Sequence, residues 1–395
     1  MEVLADEGAR VHDALDRLLR DHPPGSTPER EFWEAQFDAG LAFVDLPAAC
    51  GGLGVSPHWR DVVAQTLADA GASFENIRLN PVGHGLCADT LAMFGTPEQW
   101  ARYLRKLFTA EEIWCQLFSE PGAGSDVASL ATRAERDGDG WVVNGQKVWS
   151  SFAKQSARGL LIARTDPDVV KHAGLTAFVL DTRAPGVDIR PLVEMTGGAH
   201  FNEVFLDGVR IPDSDRIGDV DGGWRVVAGT LANERALLTG TAPERAAGPI
   251  DDALRLWAES TVRDPVTRDA LVRVWVESEC LRLTNARAAA AVELGRPEPD
   301  GALRKLHNAE LNQRIYEVCI RILGAAGMVE RPGGGRQTYN DSDGAITWAF
   351  LRSRANTIEG GTSEVMRNIA GERVLGLPAE ARADKGVPWS QMLRN

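Results

Sequence analysis

Apolar positions along the 395-residue chain change their spacing twice. Through residue 113 they recur every three to four residues between turn signals, the spacing that gives a helix one buried face. In "SPHWRDVVAQTLADAG" Ser56 stands as an N-cap with Pro57 at the first helical position, and Val62, Val63 and Leu67 supply the apolar stripe. In "TPEQW" Thr96 caps, Pro97 begins the helix and Gln99 completes a capping box. From 114 to 217 short β-rich runs take over. "WVVNGQKVW" reads as two alternating runs around Asn144-Gly145, a pair suited to a tight hairpin turn, and "GLLIAR", "LTAFVLD" and "FNEVFLDGVRI" read as further strands. After Gly222-Gly223 the helical spacing returns in long segments over 224–239, 265–294 and 301–324, while "RPGGGRQTYNDSDG" has the composition of a surface loop. The pattern predicts an α+β chain of three domains: helical over 1–113, β over 114–220 and helical again over 221–395.

Composition narrows the function classes. With 44% hydrophobic residues the chain can bury a large core, and a formal net charge of −13 argues against a nucleic-acid surface, which needs clustered Lys and Arg. The acidic, amphipathic start lacks the basic and apolar regions of a signal peptide, and no apolar run is long enough to span a bilayer, so a cytoplasmic location is expected. The five cysteines are scattered without a CxxC pair, and the seven histidines form no HxxxH or HExxH spacing, so reduced, mostly buried thiols and no metal site are expected.

Two short motifs carry candidate chemistry. "FSEPGAGSD", residues 118–126, has the small residues that let backbone N–H groups approach an anion, although it fails the GxGxxG fingerprint because Val127 occupies the third glycine position. Farther on, "NGQKVWSS" offers the flat ring of Trp149 and the hydroxyl of Ser151. Taken singly, the first is an ordinary turn and Trp149 a core residue.

Taken together, "SEPGAGSD", "NGQKVWSS", "FNEVFLDGVRIP", "GGWRV" and "GGTSEVMRNIAGERVLGLP" resemble the acyl-CoA dehydrogenase flavoprotein family, in its order and spacing, from about residue 30 to the C-terminus. The resemblance implies an N-terminal helical domain, a central β-barrel-like domain and a C-terminal four-helix bundle, with FAD held between the last two and across a subunit interface. It implies that Phe118 and Ser119 meet the isoalloxazine, Gly124 and Ser125 the pyrophosphate and thioester region, Trp149 and Ser151 the other side of the flavin, and Thr362 and Glu364 the nucleotide portion. Arg321 stands where the family often has a Gln reaching the partner subunit's FAD, and Gly324 and Ala325 allow close backbone approach. The family's usual Arg-Xaa-Xaa-Phe segment is replaced by "RDPVTRDALV", leaving Arg263 and Arg268 as weak candidates for phosphate contacts.

The implied reaction is α,β-dehydrogenation of an acyl-CoA: a carboxylate takes the α-proton while hydride leaves the β-carbon for the flavin. Many relatives carry that carboxylate directly before Gly-Thr, but in "TIEGGTSEVMR" Gly360 holds that position and Glu359 lies one residue early. A second branch, with isovaleryl- and long-chain-type enzymes, carries the base on the helix after the β domain, where this chain has Glu234 followed by Arg235. Independently of the family, Val227, Leu231, Glu234 and Leu238 share one helical face, so Glu234 interrupts an apolar stripe and is either functional or paired with an inward arginine. Glu234 is the expected base and Glu359 the alternative, with Gly360 lending its N–H to the thioester oxygen and Arg235 meeting the CoA end or a surface partner. Residues 79–95 are expected to line the acyl end. The expected assembly is a homotetramer or homodimer that passes electrons to an electron-transfer flavoprotein. The competing readings are a catalytically silent subunit of a mixed assembly and a flavin oxidase or monooxygenase on the same fold.

Overall fold

The computed structural model describes residues 2–239, 245–261, 263–293, 301–329 and 346–392, and only the backbone of 2–5, 232–239 and 292–293. The first helical spacing becomes α1 (Glu2–Asp21), α2 (Glu29–Asp38), α3 (Trp59–Asp69), α4 (Glu75–Leu79), α5 (Ala88–Phe94) and α6 (Pro97–Phe108). In α1 the buried residues Val11, Ala14, Leu15 and Leu18 fall at i, i+3, i+4 and i+7, one stripe against the core. The Thr96 capping box is formed: Thr96 Oγ1 accepts from Gln99 N–H at 3.4 Å and Gln99 Oε1 from Thr96 N–H at 3.0 Å. Ser56 does not cap. The helix begins two residues later than its sequence predicts, and the Ser56 hydroxyl donates instead to Glu7 of α1 at 2.7 Å, a charged acceptor that outcompetes a backbone cap.

Strands β1 (Trp114–Leu117), β2 (Arg133–Asp137), β3 (Gly140–Lys147), β4 (Arg158–Arg164), β5 (Leu175–Asp181), β6 (Val187–Leu192), β7 (Phe201–Pro212) and β8 (Arg216–Ile217) form one mixed sheet in the order β6-β7-β3-β2-β4-β5-β8, with β1 parallel to β4. Strands β4 and β5 are apolar almost without interruption because both faces are covered. Leu160, Ile162, Leu175, Ala177 and Val179 join the core shared with the N-terminal helices, while Leu161, Ala163, Phe178 and Leu180 pack with Trp141, Val204 and Leu206 on the other side.

The predicted turn at Asn144-Gly145 is not a turn. The hairpin closes earlier, where Asp137 pairs with Gly140 across Gly138 at φ 62°, and β3 runs on through Asn144-Gly145 with a bulge against β7. A Cβ at residue 145 would lie 2.4 Å from Thr132 Oγ1, so close approach of the neighbouring strand, rather than turn geometry, explains this glycine.

The second helical series comprises α7 (Gly223–Thr239), α8 (Pro249–Glu259), α9 (Pro265–Glu293), α10 (Gly301–Leu323), α11 (Ile346–Ser353) and α12 (Ser363–Ile369). Helix α10 packs against α8, α9, α11 and α12, burying Leu311, Ile315, Val318, Cys319 and Ile322 at helical spacing. The predicted loop 331–344 lies outside the described residues. By contact density the chain forms two units. The first holds residues up to Pro191, Phe201–Asn233 and the terminal segment from Asp384, and the second holds Leu192–His200 and Glu234–Ala383.

Candidate functional site

In the first unit, backbone hydrogen bonds draw three of the quoted motifs together. The glycine loop opens with a tight turn in which Glu120 and Ala123 exchange N–H···O bonds of 3.1 and 3.0 Å. Val148 N–H donates to Ser119 O at 2.9 Å, laying the tryptophan motif beside the start of that loop, and Ser150 exchanges two 3.1 Å bonds with Asn202 of β7. Beneath them Lys147, fully buried, donates to Phe118 O at 3.0 Å and to Glu120 Oε1 at 2.8 Å. Glu120 also accepts from the N–H groups of Ala131 at 2.6 Å and Thr132 at 2.9 Å. Burial pushes the Glu120 carboxyl up, but Lys147 and these hydrogen bonds outweigh it and hold the group below the usual carboxylate range. Burial holds the Lys147 ammonium below its ordinary value, with Glu120 opposing.

Above this anchor the surface is open. Gly124 and Ser125 are exposed, and a Cβ built at Gly122 or Gly124 meets nothing within 4 Å. Trp149 is 60% exposed, with its ring edge-on to Phe201 at 5.8 Å. Its φ of 60° is left-handed, as is that of Phe152, a conformation that costs bulky residues about 1–3 kcal/mol each and concentrates at functional sites. The neighbouring Ser150 Oγ is buried without a partner among the described residues. A presented indole, an exposed glycine loop and an unmatched hydroxyl fit a flat, anionic cofactor such as FAD.

The second unit assembles the other motif. Gly360 and Gly361 are both left-handed, at φ 62° and 97°, and turn the chain into Thr362, whose Oγ1 caps α12 by accepting from Val365 N–H at 3.2 Å. Glu364 is exposed in the first turn of α12. From α10, Lys305 donates to Asn356 O at 2.9 Å and Gly361 O at 2.5 Å, and Gln313 Nε2 donates to Ser353 O at 3.1 Å and Thr357 Oγ1 at 3.0 Å. Both Glu359 oxygens are engaged: Oε1 accepts from Arg352 at 3.2 Å and Asn356 at 2.8 Å, and Oε2 accepts from Arg352 at 2.8 Å.

Phe118 is buried, and Ser119 and Ser151 are half-buried beside Trp149 in the first unit. Arg321, Gly324 and Ala325 are exposed at the end of α10, where Gly324 at φ 57° passes into a 3₁₀ turn. Arg263 donates to Ser260 O at 2.5 Å, and Arg268 is exposed on α9. Glu234 and Arg235 lie on α7, but their side chains fall outside the described residues. Sequence reading missed Glu120, Lys147 and Lys305, the residues that hold the loops. The first two stand inside the same motifs, between glycines and serines whose small size is the stronger signal.

Family comparison matches the acyl-CoA dehydrogenase N-terminal domain over residues 4–111, the middle domain over 115–209 and the C-terminal domain over 221–375. The chain is 38% identical over 386 residues to the acyl-CoA dehydrogenase IpdE1 of Mycobacterium tuberculosis, covering 96% of each. It is 39% identical over 353 residues to the acyl-CoA dehydrogenase FadE34 of the same organism, covering 89% of this chain but 47% of that protein, so it spans about half of FadE34. Among solved structures, the Tcur3481-Tcur3483 steroid ACAD is similar at a TM-score of 0.72 and 28% identity, covering 95% of this chain and 98% of that one. The expected three-domain fold, cofactor and reaction class follow together: the chain belongs to the acyl-CoA dehydrogenase family, flavoproteins that bind FAD and dehydrogenate acyl-CoA thioesters.

Proposed function

We propose that Glu234 removes the α-proton of the acyl-CoA. The observation that supports this most is the engagement of the other candidate, Glu359, by Arg352 and Asn356. A base must offer a lone pair to the substrate, and protonating Glu359 would weaken charge-assisted bonds that contribute about 1.5–3 kcal/mol each. By register, Glu234 follows Val227, which is fully buried, and Leu231, which packs on the core, along one face of α7. A carboxylate set among apolar neighbours becomes a stronger base once ligand excludes water.

FAD, when bound, supplies the hydride acceptor for the β-carbon. Phe118, Ser119, Trp149 and Ser151 would hold its flavin ring, Gly124 and Ser125 its pyrophosphate, and Thr362 and Glu364 its nucleotide end. Arg321, Gly324 and Ala325 would reach the FAD of a partner subunit. The Gly360 N–H stabilises the charge that develops on the thioester oxygen, and Ser125 and Arg235 steady the CoA end. Residues 79–95, in which Leu79 and Met93 are exposed, contribute to the acyl end. Similarity to the steroid ACAD supports a steroid-bearing acyl-CoA as the substrate class. An electron-transfer flavoprotein as acceptor and a homodimer or homotetramer complete the reading. The two-protein name of that same neighbour favours a second assembly, in which this chain pairs with a different homologue; mass measurement of the chain expressed alone separates the two.

The test is anaerobic flavin reduction by steroid and straight-chain acyl-CoAs. Glu234→Gln should keep FAD and bind substrate, yet slow bleaching by the ~10²–10⁴ of a lost general base. Glu359→Gln should stay within a few-fold. Full-speed bleaching in Glu234→Gln would sink the assignment.

A further inference from the structure

The last described residues, 384–392, return to the β sheet and reach the far end of the glycine loop. Trp389 N–H donates to Val169 O at 2.8 Å and Ser390 N–H to Pro167 O at 2.7 Å, so the segment is bound through its backbone. Its side chains go further. Trp389 is 8% exposed, and its Nε1–H donates to Ser129 O at 3.1 Å. The guanidinium of Arg164 lies 4.4 Å from the centre of the Trp389 ring.

Arg164, 1% exposed, donates to the carbonyls of Ala128 at 2.6 Å, Leu130 at 3.1 Å and Lys171 at 3.1 Å, gathering the chain that leaves the loop. Lys171 bridges Asp126 at 2.7 Å and Asp384 at 2.5 Å. Burial works against the Lys171 charge, but the two carboxylates raise its affinity for the proton above the ordinary value. Asp126, directly after Ser125, and Ser129, three residues farther on, are thus both tied to the chain terminus.

We infer that Trp389 and Asp384 are positioning residues for FAD: acting through Arg164 and Lys171, they set the course of the glycine loop and thereby the affinity for the FAD pyrophosphate. The inference rests on the reading that Gly124 and Ser125 meet that group. A guanidinium held against an indole and bonded to three carbonyls keeps one geometry. Without the ring it is hydrated, its carbonyl contacts loosen, and the loop must be ordered when the cofactor binds.

The experiment is FAD binding to the full-length apoprotein by fluorescence titration, with thermal unfolding of each variant recorded beside it. Trp389→Ala should raise the Kd about tenfold, a difference of about 1.4 kcal/mol. Trp389→Phe, which keeps a ring over Arg164, should recover most of the affinity. Asp384→Asn, a milder change usable if Trp389→Ala does not fold, should raise the Kd about threefold. Ser390→Ala, on the same segment, should leave it unchanged. Wild-type FAD affinity in Trp389→Ala or Asp384→Asn, or a loss that merely follows the unfolded fraction, overturns the inference. If Ser125→Ala weakens FAD while these variants do not, the inference alone fails. If none of them weakens it, the assignment of the loop to FAD fails with it.

Discussion

Two glycine-bearing loops, residues 118–130 in the first unit and 353–362 in the second, each carry a glutamate and each rest on a buried lysine. In the first, lysine and glutamate are partners: Lys147 meets Glu120 at 2.8 Å and the loop hangs from that charge pair. In the second, Lys305 closes the turn by capping the backbone at Asn356 and Gly361, and Glu359 is held by Arg352 and Asn356. The difference teaches that a carboxylate in a glycine-bearing loop is poor evidence for a base. Both glutamates serve the shape of the loop, one through an ion pair below it and one through an arginine two turns earlier in sequence.

The comparison breaks most visibly at Lys147. Lys147→Met leaves the Glu120 carboxylate buried and uncompensated, so urea unfolding should show a loss of about 3–5 kcal/mol. Adding Glu120→Leu should restore part of it, and a loss under 1 kcal/mol in the single variant would show that the pair is not the anchor. Lys305→Met removes the donor shared by the carbonyls of Asn356 and Gly361, and should cost about 2 kcal/mol.

Acid should act elsewhere first. His84, packed against Phe108, is pushed down by burial to a pKa of about 4, with the Phe108 carbonyl opposing. A histidine whose folded pKa lies below its unfolded value stabilises the fold at higher pH, and that contribution is lost as pH falls from about 6.5 to 4. The loss should be on the order of 2 kcal/mol for this partly accessible ring. His84→Gln should flatten stability across that window, where an unchanged slope would exclude His84. The Glu120 contribution has the same sign but is lost only below the ordinary carboxylate range. The smallest change is at the second loop: Thr362→Ala should cost about 1 kcal/mol by removing the cap of α12, and Thr362→Ser should not.

Helical spacing, the Thr96 capping box and the strand segments around residues 159–164, 175–181 and 201–211 were legible because each is a local preference that the core rewards. Ser56 and Asn144-Gly145 misled for a shared reason. Their local reading was sound, but a distant group, Glu7 in one case and Thr132 in the other, made a different use of the residue more favourable. At the site, motif spacing marked the glycine loop and Trp149. It did not reveal Lys147 with Glu120 or Arg164 with Trp389, since partners 27 and 225 positions apart leave no periodic trace in a single sequence.

The docking of residues 384–392 onto the first unit also has a topological effect. The segment Glu234–Ala383 leaves the first unit's chain at one end and rejoins it at the other, so it is a closed loop even when its helices are not formed. Closing a loop of ~100 residues with a covalent crosslink removes about 4–5 kcal/mol of chain entropy from the unfolded form. A non-covalent closure of similar span contributes up to the strength of its own hold. Cutting the chain just before Asp384 would therefore widen the unfolded ensemble of the helical unit without altering a contact inside it, and lower its resistance to unfolding through entropy alone.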